Sequence, residues 1–293
     1  MKKNGEMIII GKSLKKNQNK FNKKNMKIKN ITLGTDPELF LQKDNKIISA
    51  IGKIGGSKSE PQPISEDGHF IQEDNVAIEY NIPPCKTLID WIYHNNFVKD
   101  YLEVLVSGMG CTLAINASAI LDESELNNDI ARLAGCEPDF DVWNECINEP
   151  ADLSATSMRS AGGHISIGWD EPTQDQQIDM VKAMDAIIGL ESILLDTDTE
   201  RKKLYGKAGC FRFREYGIEY RSLSNFWIKT DESLQWAWNT TMKAIDLVNS
   251  GKIEKVKKHG NRIVEAINTN NKDLALELLN EFSKIQEKEL QIN

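Results

Sequence analysis

Four short runs of this chain carry a polar pair at positions i and i+2: Asp36 and Glu38, Glu79 and Asn81, His164 and Ser166, and Glu219 and Arg221. In an extended strand, residues two apart point to the same face. The alternate positions are apolar: Val76, Ile78, Tyr80 and Ile82 on one run, Ile165, Ile167 and Trp169 on another, Ile218 and Tyr220 on a third. A sheet with an apolar back and an acidic, His- and Arg-bearing front is a floor for divalent metal and phosphate. Mg²⁺ takes oxygen ligands and bridges carboxylates to substrate phosphates. Asp36, Glu38, Glu79 and Glu219 would supply the oxygens, and His164 a nitrogen. One glutamate on one strand is ordinarily an exposed face. Repetition over several strands is what points to a site, together with Gly162-Gly163 directly before His164, which lets backbone or ligand approach closely.

A second cationic feature leads into the last of these runs. Arg201, Lys202, Lys203, Lys207, Arg212 and Arg214 are interleaved with Gly206 and Gly209 just ahead of Glu219. By composition this could be a solvated basic loop. Beside a metal floor, however, such cations suit polyphosphate binding and stabilise charge moving onto a transferring phosphoryl group. The chain has no G-x-x-x-x-G-K-[ST] element and no G-x-S-x-G, which excludes a P-loop and a nucleophile elbow.

The elements that must position these residues alternate strand pairs with separate helices. Ile31 to Leu41 reads as a strand interrupted by Pro37, with Ile47 to Ile51 as its hairpin partner. Gly52 to Gly68 reads as a polar loop, and His69 to Gln72 and Val76 to Ile82 as the next strand pair, stopped by Pro83-Pro84. Thr87 caps a helix to about Val106, with Leu88, Ile92, Val98 and Leu102 inward. Cys111 to Ala117 and Ala161 to Trp169 read as strands, and residues 122–160 between them as a functional insertion. A helix is expected over Thr173 to Leu195, with Ile178, Val181, Met184, Ile188 and Leu195 near one face. Three more helices follow Thr230: Asp231 to Val248, Asn261 to Ile267, and one from Lys272 with Leu274, Leu278, Phe282 and Ile285 inward. This order predicts an α+β fold.

The chain has 293 residues, 40% hydrophobic and 27% charged, as expected of a globular protein with a full core. No apolar run approaches the roughly 18 residues that cross a bilayer. The five cysteines form no C-x-x-C pair, which argues against zinc and against a disulfide framework, and suits a reducing compartment. The net charge of −8 hides an asymmetry: residues 1–29 hold ten Lys and one acid, so they carry +9 and the rest carries −17. An acidic body argues against a broad nucleic-acid face; any such contact would fall to the basic tail, which reads as a disordered extension. Met26 offers a second start for the folded unit.

Together these residues resemble the phage-type carboxylate–amine ligases of the glutamine synthetase and glutamate–cysteine ligase superfamily. The resemblance covers about residues 30–250. It rests on Gly34-Thr-Asp-Pro-Glu38, Glu79-Tyr-Asn81, Ala161-Gly-Gly-His164-Ile-Ser-Ile-Gly168, and Tyr205-Gly-Lys-Ala-Gly209 running to Glu219-Tyr-Arg221-Ser-Leu-Ser-Asn225-Phe-Trp227. It implies a curved, mainly antiparallel sheet of the glutamine-synthetase-like catalytic type, with flanking helices and a helical C-terminus, wrapped around ATP and Mg²⁺ or Mn²⁺. It implies Glu38, Glu79, His164 and Glu219 as metal ligands, with Asp36 a further candidate. Arg212, Arg214 and Arg221 would meet phosphate or an acyl phosphate, and Lys207 and Ser166 would join Arg212 and Arg214 around the nucleotide. Relatives often read His-x-His where this chain has His164-Ile-Ser166; the hydroxyl can still bond a phosphate, but the second imidazole is lost.

The expected function is ATP-dependent amide or peptide bond formation through an acyl phosphate, with Arg221, Arg212 and Asp36 as catalytic residues. The alternatives are a phosphotransferase of guanidino-kinase type and a non-catalytic relative that binds ATP and metal. Expected partners are a small-molecule or peptide carboxylate and amine, with no membrane and the option of a homo-oligomer. The expected location is the cytoplasm, that of the host if a phage encodes the chain. The expected organisation is a basic tail over residues 1–29, a catalytic domain over 30–250 and a C-terminal helical extension over 251–293.

Overall fold

The computed structural model describes residues 27–132, 139–149, 151–154 and 156–287. Most of the expected basic tail lies outside these residues. Its last three belong to the body: Ile28 is buried, its N–H donates to Asn249 Oδ1 at 2.7 Å, and the Lys29 carbonyl accepts from Asp170.

The fold is α+β with mostly antiparallel sheets. Pro37 decides the architecture. It lacks a donor and ends one ladder, so the run expected over Ile31 to Leu41 becomes two strands, β1 (Thr32–Thr35) and β2 (Glu38–Lys43), which enter different sheets. In the first sheet, β1 pairs with β12 (Ile165–Gly168), then β14 (Gly217–Tyr220), β13 (Cys210–Arg214), β9 (Phe140–Asp141) and β10 (Cys146–Ile147). In the second, β2 lies between β3 (Lys46–Ile48) and β6 (Ala77–Asn81), followed by β5 (Phe70–Asp74) and β4 (Gln62–Pro63); β7 (Thr112–Ala114) also pairs with β2. A two-stranded sheet of β8 (Ser118–Ile120) and β11 (Met158–Ser160) stands apart. The single curved sheet implied by the family resemblance is thus two sheets hinged at Asp36-Pro37. Residues 122–160 supply β9, β10 and β11.

Alternation sorts the first sheet as expected. Leu33, Ile165, Ile167, Ile218, Tyr220 and Phe211 are fully or almost fully buried on its back. Burying each aliphatic side chain contributes about 1.5–3 kcal/mol. Helix α1 (Leu88–Ser107) is capped by Thr87, whose hydroxyl accepts from the Asp90 N–H. Its buried stripe is Trp91, Asn95, Val98, Leu102 and Val106, rotated from the expected Leu88 and Ile92, which are only half-buried. Trp91 sets that rotation by stacking on Trp227 at 5.4 Å.

The helix expected over Thr173 to Leu195 is broken into α2 (Gln174–Met184), a π-helical turn (Asp185–Gly189) and α3 (Leu190–Leu195). The turn places Asp185 Oδ1 2.6 Å from the Tyr220 hydroxyl and Oδ2 2.6 Å from Trp143 Nε1, satisfying a fully buried carboxylate. Gly189 makes room, since a Cβ there would lie 2.8 Å from the Tyr220 hydroxyl oxygen. A π turn changes the helical phase, and Leu195, expected inward, is 52% exposed. Helix α4 (Asp231–Asn249) packs against α1 and α2. Helices α5 (Gly260–Asn268) and α6 (Lys272–Glu287) close the fold, with Leu278 and Phe282 buried and Leu274 half-buried; the Ile285 side chain lies outside the described residues. No helix among the described residues is long and apolar enough to cross a membrane.

Candidate active site

The register of the first sheet sets Gly34, Ser166, Glu219 and Arg212 side by side across β1, β12, β14 and β13. One step along the same face come Asp36, His164 and Arg221. Ligand atoms of Asp36, His164 and Glu219 lie within 4.8 Å of one another. Glu219 is the hub. Its Oε2 accepts from Arg214 Nε at 2.8 Å and from Arg214 Nη2, while its Oε1 accepts from Arg221 Nη1 and, at 3.4 Å, from Arg212 Nη1. Arg221 Nε donates to Asp139 Oδ2 at 3.3 Å, so the 122–160 insertion does reach the site.

His164 Nδ1 stands 3.3 Å from Arg221 Nη1 and 3.5 Å from Asp36 Oδ1. Burial, reinforced by Arg221, holds its pKa well below the usual imidazole range, so the ring is neutral near pH 7. Its far nitrogen packs on Gly162, where a Cβ would lie 2.5 Å from Nε2; a Cβ on Gly163 would lie 2.4 Å from the Ser224 carbonyl oxygen. This is the close approach that the glycine pair signals. The Ser166 hydroxyl lies 3.1 Å from that of Tyr216. Ser166, Asp36, Arg214, Tyr216 and Glu219 line a cavity of about 360 Å³.

The second sheet builds a different group. Glu38, Glu79 and Gln72 are in register across β2, β6 and β5, and Asp74 lies two residues beyond Gln72. Ligand oxygens of Glu38, Asp74 and Glu79 lie within 4.8 Å of one another, and all three residues are at least nine-tenths buried. Glu38 Oε2 accepts from the Gly162 N–H at 2.8 Å, Glu79 Oε1 from Gln72 Nε2 at 2.7 Å, and Asp74 Oδ2 pairs with Lys58 Nζ at 2.9 Å. Burial, with the Asp74 charge beside it, pushes Glu38 up to about 7. Burial and then the Asp36 charge push Glu79 well above the carboxylate range. Burial also raises Asp36, against the pull of Arg221, Arg212 and Arg214.

The two groups meet at the hinge. The Glu38 N–H donates to the Gly162 carbonyl at 2.9 Å, and Asn225 Nδ2 donates to the Glu38 carbonyl at 2.7 Å. A tight cavity of about 50 Å³ between them is lined by Glu38, Asp74, His164, Arg201 and Arg221, with Leu153 and Arg159 from the insertion.

Glu38, Glu79, His164 and Glu219, expected as one ligand set, are divided two and two between these groups. Asp36 and the three arginines gather as expected. Lys207 does not: its side chain is exposed and lines neither cavity, and its carbonyl accepts from the Ser222 hydroxyl. Three residues were missed. Asp74 lies in β5, which runs two residues past the Gln72 end expected from the sequence and so puts Asp74 on the same face as Gln72. Lys58 was absorbed in the polar loop. Arg201, read as one of several loop cations, is buried and donates to the carbonyls of Ser222 and Arg221 at 3.2 and 3.4 Å, positioning Arg221.

Residues 151–284, just under half the chain, match the family described as phage phiEco32-like COOH.NH2 ligase-type 2. The matched span contains His164, Glu219 and the arginines; Asp36, Glu38, Asp74 and Glu79 precede it. The matched family is one of carboxylate–amine ligases, the class of enzyme expected from the sequence. Among solved structures, the chain is similar to a bifunctional glutathione synthetase from Pasteurella multocida, at 9% identity and a TM-score of 0.40 over 87% of this chain and 49% of that one. The chain thus spans about half the length of that protein. No curated protein matches.

Proposed function

We propose that the chain is an ATP-dependent carboxylate–amine ligase whose two residue groups divide the work. The observation that carries this is the opposite charge of the groups across one hinge. Around Asp36 and Glu219 stand three guanidiniums in ion-pair contact with Glu219; around Glu38, Asp74 and Glu79 the described ion pair is that of Lys58 with Asp74, and the Arg201 guanidinium acts on Glu38 from across the small cavity. A surplus of guanidinium suits phosphate oxygens, which arginine forks bind in pairs. Three buried, all-oxygen ligands, of which Glu38 and Glu79 are pushed upward by burial and then by neighbouring carboxylate charge, suit a hard divalent ion such as Mg²⁺ or Mn²⁺. Glu38, Asp74 and Glu79 would hold that ion. When bound, it would neutralise phosphate charge on the nucleotide.

Arg214 and Ser166, which line the larger cavity, would hold ATP there, with Arg212 beside them on Glu219 and Arg221, at the smaller cavity, nearest the transferring phosphoryl group. A substrate carboxylate oxygen attacks the γ-phosphorus, the bond to the ADP oxygen breaks, and an acyl phosphate forms. An amine then attacks the acyl carbon, loses a proton, and expels inorganic phosphate. Arg221 is held by Glu219, Asp139 and the turn of Arg201, so it meets developing charge without reorganising. Neutral His164 and Asp36 lie beside it as proton carriers for the amine step. In this reading residues 30–250 form the catalytic unit, and the described part of the 251–293 extension braces it through Asn268, whose Oδ1 accepts from the Ala208 N–H at 2.8 Å.

The test is to supply ATP with pools of carboxylates and amines and to follow ADP, phosphate and product masses. The ligase reading expects ADP and phosphate release that needs both a carboxylate and an amine, with a product lighter by one water than its two substrates. A phosphorylated product formed without an amine would replace it with the phosphotransferase reading.

A further inference from the structure

We propose that Lys58 is a tethered counter-cation of the Glu38–Asp74–Glu79 group, exchanged for a divalent ion and then turned onto the phosphates that the ion brings. The exchange needs only that this group binds a metal; the second step rests on the ligase reading.

The loop carrying Lys58 is built, not loose. The Glu73 carboxylate accepts the backbone N–H groups of Gly52, Lys53, Ile54 and Gly55 at 2.8–3.0 Å. Gly56, at φ +73°, is wedged so closely that a Cβ would lie 2.7 Å from the Ile71 carbonyl oxygen. Ser57 and Glu60 close the tip by exchanging backbone hydrogen bonds of 3.0 and 3.1 Å. Lys58 is presented from this closed turn, 44% exposed, and its ammonium reaches Asp74, whose side chain is only 6% exposed. Glu73, the anchor of the loop, is the chain neighbour of Asp74, so the base of the loop and its ionic target belong to one strand.

Three buried carboxylates close together are costly unless a cation accompanies them. Arg201 acts on Glu38 from a buried, fixed position, whereas Lys58 supplies Asp74 with a positive charge from a half-exposed side chain that can withdraw to solvent. A divalent ion bridging the three would take over the carboxylate that Lys58 holds and would place two positive charges beside the ammonium. The ammonium would then leave Asp74, and a nucleotide phosphate brought by the ion would offer it an anion within reach of its flexible stem. Lysine suits this role better than arginine, being a compact charge on a flexible stem.

The test compares wild type with Lys58→Met, melting temperature being the check that the variant folds. Mn²⁺ affinity without nucleotide, read by electron paramagnetic resonance, should tighten in Lys58→Met by about fivefold, the equivalent of one partly exposed ion pair. Affinity for a non-hydrolysable ATP analogue in saturating Mn²⁺ should weaken by about tenfold, the equivalent of one charged phosphate hydrogen bond. Equal or weaker Mn²⁺ binding in the variant overturns the exchange. Unchanged analogue affinity overturns the second step. If neither protein binds Mn²⁺, the metal assignment itself falls and the proposal with it; if both bind it equally, the proposal falls alone.

Discussion

The two halves of the site are made from the same device, a polar pair on a strand with an apolar back, yet they carry opposite electrostatics. In the first sheet, the Glu219 carboxylate is saturated by Arg212, Arg214 and Arg221. In the second, Glu38 and Glu79 face each other across directly paired strands and are held protonation-prone by burial and by neighbouring acids. A carboxylate in the first group organises cations, whereas one in the second repels its neighbours and waits for a cation. The same residue type therefore has opposite structural value on the two sides of Pro37.

Replacing one glutamate from each side is the most direct way to break this comparison. Glu219→Gln leaves three guanidiniums around a neutral amide and should cost about 3–5 kcal/mol of stability, as losing one partner of a buried ion pair does. Glu79→Gln removes a carboxyl already driven toward its neutral form, so the metal-free protein should melt at the same temperature or higher. The same variant should lose at least the roughly 10–100-fold in metal affinity that even an outer-sphere change costs. Urea unfolding with and without Mg²⁺ measures both. Loss of stability in Glu79→Gln, or none in Glu219→Gln, would erase the distinction.

Arg221→Lys tests the cationic half in function. It keeps the charge and loses the fork, and should slow single-turnover phosphate release by about 100-fold, a loss of ~3 kcal/mol of transition-state stabilisation. Ground-state binding of Mg-ATP should change much less. A variant that melts lower but turns over normally would leave Arg221 as a brace for Glu219 alone.

The acidic half should show itself in pH. Glu38 is raised from 4.5 to about 7, so the folded protein holds this proton more tightly than the unfolded chain does. The contribution to stability is complete below about 4.5 and is lost as pH rises through about 7. A shift of that size corresponds to a few kcal/mol. Metal-free protein should therefore lose stability over this window, Glu38→Gln should flatten the loss, and Mg²⁺ should restore most at the upper end. A metal-free melting temperature that rises across the window would contradict the burial argument.

Which residues share a face was legible in the sequence because strand alternation has a fixed period. That is why Ser166, Glu219 and Arg212 fall in one row, as their parity predicts. Which sheet each face belongs to was not legible. Asp36 and Glu38 read as a pair, yet the proline between them sends their strands to different partners, and no local pattern announces those partners. Lys58 is hidden for the same reason: its meaning comes from Asp74, which it reaches only in the folded loop, whereas Asp74 itself follows from extending the alternation of Gln72 by two residues. The π turn at Asp185 was equally hidden, since its cause is the Tyr220 hydroxyl on the back of a strand 35 residues away.

The smallest expected effect sharpens the boundary of the cationic half. By composition Lys207 belongs with Arg212 and Arg214. In the structure it is exposed in the turn before β13, while those arginines point from alternate positions of that strand onto Glu219. An exposed lysine away from the cavities holds a phosphate only weakly, and its loss should stay within the roughly 0.5 kcal/mol of an ordinary surface change. Lys207→Ala should therefore alter Mg-ATP affinity by less than about threefold, which is the same energy expressed as a binding ratio. Calorimetry at two salt concentrations decides the matter. A small effect that fades with salt fits a distant surface charge. A tenfold loss that persists at high salt would mean that the turn folds inward over the nucleotide, and would add Lys207 to the three arginines.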